Sequence, residues 1–517
     1  MFGVFILFFL YLHHIMLFDI LLNEVKRKLV ICMKQQYDAI VIGMGPSGVF
    51  LAYELIQKQK AKNILLIEQG KRVEDRKCPI QKINKCVKCK PFCNITSGFS
   101  GAGAFSDGKL LSYHLSLYNE DKDSIYLGGN GGSYIKKYMG LQEIKDLLKY
   151  TDNIYLKFGA DTKLEGIENR EEIKKLQEKA QKENLNLIDI PIRHLGTEKA
   201  HELYYKIEKY IENKVELRFE TVVEDLIIED NKIKGVKIRK SNSETNNTEA
   251  IYSNNVISAV GRKGAKWLDE MCKKYNIKTN LGSVDIGIRY ELPDKIMEKI
   301  NKYMYEGKVI ARPEPFKDKV RTFCQNPSGF VATEVYDNGL TLVNGHSYKD
   351  KKSTNTNLAI LVSHHFNYPF KKPIEYGINI ANNLNELGNG NIVVQRLGDI
   401  YRGKRTWQEE LDNNSVVPTL KTAVPGDITF ALGYRTMTNI LEFIRKMDKV
   451  VEGFANPDNL LYGPEIKFYS NEIVLDKNFQ TNIEGLYSIG DGGGLTTGLM
   501  MASCSGVKMA RILSEKI

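Results

Sequence analysis

Two glycine-rich segments, more than four hundred residues apart, contain residue types that bind a dinucleotide. The first, residues 43–48 (GMGPSG), directly follows the apolar run 39–42, which is typical of a buried strand. In a strand–turn–helix of this kind, Gly43 allows the tight turn, Gly45 lets the backbone approach a pyrophosphate, and Gly48 lets helix and strand pack closely. The helix N-terminus then directs its free N–H groups at the phosphates. The predicted cofactor-binding residues here are Gly43, Gly45, Pro46, Ser47 and Gly48.

Glu68 supplies the second part of this fingerprint. It ends the next apolar run, residues 63–67, and follows Gly48 by twenty residues. At that place the fold uses a carboxylate to accept hydrogen bonds from ribose hydroxyls. An acid here disfavours a phosphorylated ribose, and therefore NADP, so FAD and NAD remain as candidates.

The second glycine-rich segment distinguishes between these two cofactors. Residues 485–491 (GLYSIGD) resemble the C-terminal flavin motif of FAD-dependent oxidoreductases, in which the aspartate hydrogen-bonds the ribityl chain. Residues 496–510 have the spacing of a helix whose N-terminus faces the flavin. The predicted contacts are Gly490, Asp491, Gly498 and Leu499, and the predicted cofactor is FAD.

Further segments extend the resemblance over the chain from about residue 34 to the C-terminus. Residues 255–262, with Gly261, resemble the mid-chain strand and glycine of these flavoproteins, and Val223 lies where they bring backbone near the adenine. The loop 97–110 (SGFSGAGAFSDGKL) adds Gly101, Ala102 and Gly103 as predicted cofactor contacts. With segments 321–324, 344–348 and 463–470, the chain resembles a bacterial FAD-dependent dehydrogenase family of unassigned substrate. That family has a glutathione-reductase-like FAD-binding fold and is distantly related to the aminoacetone-oxidase-like flavoproteins.

Four cysteines fall within sixteen residues, at Cys78, Cys86, Cys89 and Cys93. In a cytosolic chain such clustering favours metal ligation over structural disulfides. Four thiolates suit a zinc ion or an iron–sulfur cluster. A redox-active dithiol pair and plain reduced thiols remain as alternatives.

The N-terminal residues 2–22 are almost uniformly apolar and long enough to cross a bilayer once. Lys26, Arg27 and Lys28 follow, an arrangement that keeps the rest of the chain in the cytoplasm if the segment is a membrane anchor. No basic region precedes the segment, as it would in a secretory signal. The alternative, which we favour, is a translation start at Met33 and a cytoplasmic protein.

Length and composition place the chain among globular proteins of two or three domains. It has 517 residues, 42% of them hydrophobic, and a net charge of +10 spread along the sequence. The pattern is typical of solvated faces, and no segment resembles a nucleic-acid-binding module. We expect a small-molecule substrate or an electron-transfer protein as the partner, and no nucleic acid.

The predicted fold is α/β, with a three-layer Rossmann-like FAD-binding domain around a parallel sheet and an interleaved, largely β substrate domain. Strands are predicted at 284–291 and 341–344, and helices at 355–363 and 438–447. The predicted division is an N-terminal extension 1–33, FAD-binding parts 34–132, 217–279 and 481–517, a helical and mixed insertion 133–216, and a substrate domain 280–480.

The predicted function is that of an FAD-dependent oxidoreductase that transfers electrons between a substrate and flavin N5. The sequence contains no second strand–GxGxxG–helix unit. We therefore expect the pyridine-nucleotide domain of disulfide reductases to be missing. Substrate chemistry beside the ring needs a base or cation, and the candidates are Lys109, Arg321, His346 and Tyr469. Two alternatives are an electron-transfer flavoprotein that uses the cysteine site and a flavin-based redox sensor without turnover.

Overall fold

The computed structural model describes most of the chain from residue 36 to residue 517. The described residues are 36–60, 62–79, 89–105, 108–111, 117–118, 124–125, 131–166, 168–243, 247–280, 282–304, 307–335, 339–348, 351–366, 369–370 and 372–517. For 117–118, 124–125, 131–133 and 197 the backbone alone is described. The apolar segment 2–22, and with it the choice between an anchor and a start at Met33, lies outside these residues. Within them, no helix is both long and apolar enough to cross a membrane.

The described chain contains strands and helices, with several runs of consecutive strands such as those between residues 216 and 258. The strands are β1 (Ala39–Ile42), β2 (Ile64–Ile67), β3 (Lys109–Leu111), β4 (Leu117–Tyr118), β5 (Ser124–Ile125), β6 (Leu185–Asp189), β7 (Ile192–His194), β8 (Glu216–Arg218), β9 (Thr221–Glu229), β10 (Lys232–Lys240), β11 (Glu249–Tyr252), β12 (Val256–Ser258), β13 (Thr279–Asn280), β14 (Val284–Pro293), β15 (Gly307–Ala311), β16 (Val320–Asn326), β17 (Phe330–Val335), β18 (Thr341–His346), β19 (Asn355–His364), β20 (Val393–Arg396), β21 (Val424–Pro425), β22 (Leu460–Phe468), β23 (Glu472–Ile473) and β24 (Leu486–Ser488). The α-helices are α1 (Pro46–Gln57), α2 (Leu141–Lys157), α3 (Arg170–Lys182), α4 (Thr197–Ile211), α5 (Ala265–Lys274), α6 (Asp294–Tyr303), α7 (Pro373–Leu387), α8 (Leu397–Tyr401), α9 (Gln408–Asp412), α10 (Thr429–Leu432), α11 (Tyr434–Val450) and α12 (Leu499–Ser514). Short 3₁₀ helices cover Val73–Asp75, Gly101–Phe105, Gly131–Lys137 and Arg262–Gly264.

A five-stranded parallel sheet has the order β24-β12-β1-β2-β8. All four residues of β1 and of β2 are buried, as expected for parallel strands covered on both faces. The glycine-rich segments leave β1, β12 and β24 at their carboxyl ends. Because the carboxyl ends of parallel strands share one edge of a sheet, these segments converge there.

This sheet is the middle of three layers. Val41 points into a core shared with α1, α2, α4 and α12, whereas Ile40 points into a second core. That second core is shared with α5 and with the antiparallel sheet β11-β10-β9. The predicted α/β fold with a three-layer, Rossmann-like parallel sheet is therefore confirmed.

An eight-stranded, largely antiparallel sheet has the order β21-β20-β22-β14-β19-β16-β15-β6. Its central strand β14 alternates strictly between two faces. One face carries apolar residues that form a core with α6, α7 and α11, and these are Val284, Ile286, Ile288, Tyr290 and Leu292. The other face, here called the polar face, carries Asp285, Gly287, Arg289 and Glu291, which are also buried. A mixed, largely β part beside the parallel sheet is thus present as predicted.

The prediction of a helix at 355–363 is wrong, because this segment is strand β19. The strand pairs with β14 on one side and β16 on the other, so both its faces and both its edges are covered. A short apolar run is compatible with a buried helix or a buried strand, and the pairing partners decide which one forms. The strands predicted at 284–291 and 341–344 are present within β14 and β18, and the helix at 438–447 lies within α11.

The sheets draw their strands from separate stretches of chain. The parallel sheet uses strands from the start, the middle and the end of the described chain, whereas β6, from the predicted insertion 133–216, forms an edge of the eight-stranded sheet. The predicted domain boundaries themselves stay a prediction.

Candidate functional site

The three glycines of the first turn have different surroundings. Gly43 has a φ of +102°, and a Cβ on it would lie 2.5 Å from the carbonyl oxygen of Ala259. A Cβ on Gly48 would lie 2.1 Å from the carbonyl oxygen of Gly43. A Cβ on Gly45, in contrast, meets no atom within 4 Å. Gly43 and Gly48 are therefore needed for packing, whereas Gly45 borders open space.

Gly45 also caps the N-terminus of α1, with Pro46 at the start of the helix. Ser47 is buried, and its Oγ would lie 2.6 Å from a Cβ on Gly490, which has a φ of +73°. The helix end therefore lies directly against the C-terminal glycine segment.

Gly45, Gly261 and Gly498, which come from three separate segments, each border open space. A Cβ on Gly261 or on Gly498 would also meet no atom within 4 Å. Their segments are in contact, because a Cβ on Gly492 would lie 2.7 Å from the carbonyl oxygen of Gly261. We call these three glycines the open cradle. A ligand can approach the backbone closely at each of these three positions, because no side chain projects there.

Glu68 joins the first turn to the loop that follows the cysteines. One carboxylate oxygen accepts the N–H of Met44 at 3.0 Å, and the other accepts those of Gly70 and Gly98 at 2.9 Å each. The main-chain oxygen of Glu68 accepts the N–H of Thr221 at 3.0 Å, which brings the start of β9 beside it. Val223, two residues further along β9, is buried beneath the parallel sheet. The contacts of Glu68 and Val223 with a cofactor stay predictions.

Arg76, which the sequence analysis missed, organises the glycine loop. Its guanidinium donates to a set of main-chain carbonyls, which are those of Asn94, Ile95, Phe99 and Gly101. Burial lowers the pKa of Arg76 to about 10. The buried guanidinium therefore holds the carbonyls of the loop in place. In the sequence, Arg76 is only a single arginine ahead of a glycine-rich stretch, so its role could not be recognised.

The loop's predicted contacts reach both glycine segments. A Cβ on Gly101 would lie 3.5 Å from the Cα of Gly45. A Cβ on Gly103 would lie 3.2 Å from the side chain of Leu499, at the start of α12. Ala102 is exposed between them. The structure thus brings the predicted contacts of the loop to those of the two remote segments.

Asp491 lies at the rim of the open cradle with its side chain 15% exposed. Its carboxylate accepts the hydroxyl of Thr496 at 2.8 Å and the N–H of Gly498 at 3.2 Å. The Nε of Arg262 is 3.8 Å away. Burial raises the pKa of Asp491, and these three groups oppose the rise. The acid is therefore held in place beside space that a ligand's hydroxyls can enter.

Two predicted catalytic residues, Arg321 and Tyr469, meet on the polar face. Arg321 donates to Asp285 Oδ2 through Nε at 2.9 Å and through Nη2 at 2.5 Å. The same Nη2 lies 2.5 Å from the hydroxyl of Tyr469, which in turn donates to Asp285 Oδ2 at 2.9 Å. Burial alone would raise the pKa of Asp285, but Arg321 and its hydroxyl donors hold it below the ordinary value. Asp285 was missed because the sequence gives no sign that both faces of β14 are covered.

This group lies close to the C-terminal glycine segment. The chain continues from Tyr469 to Asn471, whose carbonyl oxygen would lie 3.0 Å from a Cβ on Gly494. The N–H of Ile473 donates to the carbonyl of Gly493 at 3.0 Å. Tyr469, which is bonded to Arg321, is therefore only two residues from Asn471, and Asn471 contacts the segment that contains Asp491.

Lys109 lies in β3, paired with His194 of β7. Strand β3 contacts α12, and Leu111 of the same strand packs against a small apolar cluster that includes Ile310 of β15. Lys109 thus belongs to the region between α12 and the polar face.

His346 lies in a different group of contacts. It ends β18, where the neighbouring Gly345 packs against Arg289, with 3.0 Å between an added Cβ and Arg289 Nη1. Arg289 is fully buried and pairs with Glu465, its Nε 2.8 Å from Oε2. The structure thus places His346 beside this second buried ion pair, and its predicted catalytic role stays a prediction.

Glu291 is a third buried acid on the polar face. It accepts hydrogen bonds from the hydroxyls of Tyr462 and Thr419 and from the amide of Asn355. Burial raises the pKa of Glu291, and these neutral donors only partly offset that rise.

The four-cysteine metal site stays a prediction. Cys86 lies outside the described residues, and among those described no group of three or more His, Cys, Asp or Glu is arranged to hold a metal ion. Cys78, Cys89 and Cys93 are free thiols, partly exposed. Burial opposes ionisation of Cys93, but nearby backbone N–H groups and Lys263 hold its pKa below the ordinary value.

Comparison with known proteins gives relatives at low identity. An uncharacterized protein of Clostridium beijerinckii is 24% identical over 507 residues, covering 92% of this chain and 80% of its own. Escherichia coli quinol fumarate reductase is 12% identical with a TM-score of 0.36, over 93% of this chain and 70% of its own. L-proline dehydrogenase of P. horikoshii is 12% identical with a TM-score of 0.37, over 94% of this chain and 95% of its own. Residues 284–467, which contain β14 to β22 and thus most of the polar face, match the family model described as FAD-dependent protein, C-terminal domain-like.

Proposed function

We propose that this protein is an FAD-dependent oxidoreductase whose substrate is bound between the open cradle and the polar face. The observation that carries the proposal is the convergence of Gly45, Gly261 and Gly498. They come from three separate segments, and each borders open space at one edge of the parallel sheet. The family match of residues 284–467 supports the same cofactor.

Each segment of the site is proposed to contact a different part of FAD. The α1 N-terminus at Gly45, Pro46 and Ser47 takes the pyrophosphate. Glu68 takes the adenosine ribose through the lone pairs left on its oxygens, and Asp491 takes the ribityl chain. Gly498 and Leu499, at the start of α12, approach the flavin ring. Gly101, Ala102 and Gly103 close the cradle from the loop.

FAD, when bound, supplies a two-electron acceptor at N5, so that a substrate is oxidised as the flavin is reduced. The chain's own residues orient the substrate and handle its proton. Tyr469 is held between Arg321 and Asp285, so its hydroxyl has a fixed direction and a carboxylate behind it. Such a hydroxyl donates or accepts a proton at a defined place. Lys109, on β3 beside α12, supplies a cation to the substrate.

The test is a spectrum followed by an anaerobic screen. The purified protein is expected to carry stoichiometric FAD, and one class of small molecule is expected to bleach its visible absorption without oxygen. Tyr469→Phe should slow this bleaching while leaving the flavin content unchanged. A protein that neither purifies with flavin nor binds added FAD contradicts the proposal.

Two other outcomes would point to different functions. Iron–sulfur absorption together with flavin would favour an electron-transfer protein that uses the four cysteines. Flavin that only dithionite reduces would favour a redox sensor without turnover.

A further inference from the structure

Three cationic side chains surround one aromatic ring on the polar face. The Cζ of Arg321 lies 4.9 Å from the centroid of the Phe323 ring, the Nζ of Lys308 lies 5.1 Å from it, and the Nζ of Lys467 lies 5.9 Å from it. Arg321 and Lys308 are buried, whereas the ring of Phe323 and the side chain of Lys467 remain partly exposed. The partly exposed ring therefore lies among three cations, each positioned over it.

Strand geometry accounts for this grouping. Side chains two apart on a strand share a face, which places Phe323 beside Arg321 on β16. The register of the sheet places Arg321 near β15, where Ile310 is its partner, and puts Lys467 opposite Asp285. Residues from three strands, β15, β16 and β22, thus converge on one patch.

Two of these cations are held in position by carboxylates. Asp285 and the hydroxyl of Tyr469 fix the guanidinium of Arg321. Glu465, whose main partner is Arg289, lies 3.3 Å from the Nζ of Lys467. Side chains fixed in this way lose little conformational freedom when a ligand binds, so the patch is preorganised.

The location of the patch relates it to the proposed site. The β17–β18 hairpin covers the polar face over Arg289, where Gly345 packs on that side chain. The Phe323 patch lies on the part of the face that leads through Tyr469 and Asn471 to Gly494. It therefore lies toward the C-terminal segment of the open cradle.

We propose that this patch binds a carboxylate of the substrate, so that the substrate class is an organic acid with an apolar or aromatic body. This inference rests on the proposed function. A ligand carboxylate beside the ring would be attracted by the cations around it. Arginine and lysine form charge-assisted hydrogen bonds with a carboxylate, and the ring packs against the apolar body.

The test uses benzoate as the anionic probe and benzamide as its neutral analogue, both added to the flavin-bound protein. Binding is followed by the change in the visible flavin spectrum and, independently, by the shift in melting temperature. Benzoate is expected to bind more tightly than benzamide, and its Kd is expected to rise with added salt. Lys308→Gln should weaken benzoate about tenfold or more, because it removes one charge-assisted contact.

Lys302→Gln is the matched control. The Nζ of Lys302 also lies over a ring, 5.4 Å from the centroid of Tyr303, on α6 and away from the polar face. Both variants change the net charge equally, but Lys302→Gln should leave the benzoate Kd unchanged. The inference is overturned if flavin is stoichiometric and benzoate binds no better than benzamide, or if the two variants behave alike. Absence of flavin would instead contradict the proposed function, so the two failures are distinguishable.

Discussion

Replacing Gly45 by valine should separate cofactor binding from folding. A Cβ at Gly45 meets no protein atom within 4 Å, and the backbone there, with a φ of −69°, is one that any residue adopts. The free energy of unfolding should therefore fall by no more than about 2 kcal/mol, the upper end of the range for an N-cap substitution. The same side chain fills the space where a pyrophosphate would approach the helix N-terminus.

The expected loss of affinity follows from the contact that the valine blocks. A hydrogen bond between a backbone N–H and a charged phosphate contributes about 1.5–3 kcal/mol. Losing one such bond raises the Kd for FAD by about ten- to a hundredfold. The assay is the flavin-to-protein absorbance ratio after desalting, with fluorescence titration of the flavin-free protein for the Kd. Urea unfolding measures stability on the same samples.

Gly140 offers a matched control. It also caps a helix, α2, has a φ of −70°, and its added Cβ meets nothing within 4 Å. Gly140→Val should retain both stability and flavin. If Gly45→Val keeps stoichiometric FAD with an unchanged Kd, or if the Gly140 variant loses flavin equally, the reasoning from the open cradle is wrong.

Other parts of the structure give three further predictions. Arg321→Met should lower the free energy of unfolding by about 3–5 kcal/mol, because it leaves Asp285 buried and unpaired, and adding Asp285→Asn should recover part of that loss in urea titrations. The stability of the wild type relative to Glu291→Gln should fall as the pH rises above about 4.3, the ordinary pKa of glutamate. Burial raises the pKa of Glu291 in the folded protein, so the unfolded chain ionises first and is favoured as the pH rises. A stability difference that does not change between pH 4 and 7 would contradict this. Anaerobically purified protein should contain iron with labile sulfide, or zinc, if the four cysteines ligate a metal, and the absence of all three would exclude that site.

Local sequence was sufficient to predict the cofactor turn. The requirements for Gly43 and Gly48 arise within a few residues of each glycine, and in the structure an added Cβ at either would meet backbone. Asp491 was assigned by resemblance, with the expectation that its strand returns to the first domain, and β24 does join the parallel sheet. Its contact with a cofactor stays a prediction. Features that depend on residues within one βα unit could therefore be predicted from the sequence.

Features that depend on contacts with distant parts of the chain could not be predicted from the sequence. The acids and arginines of β14 alternate as they would on a half-exposed strand, yet β22 and β19 on its edges and the β17–β18 hairpin on its face bury them. Arg76 stabilises a loop that lies 18 to 25 residues later in the chain, by donating hydrogen bonds to the carbonyls of that loop. His346 was chosen for its chemistry alone, and the sequence did not show that the β17–β18 hairpin places it beside Arg289. In each case the missing information is which remote element covers the residue.

The parallel sheet also sets an order of events during synthesis of the chain. Strand β1 pairs with β12, and β12 pairs with β24, so the strands around the open cradle come from both ends of the described chain. A nascent chain that has not yet released residues 486–514 from the ribosome lacks β24 and α12, and has only part of the cradle. The emerging N-terminal unit must wait with the β12 edge of its sheet unpaired and the α12 part of one face uncovered, so the open cradle is completed only near the end of translation.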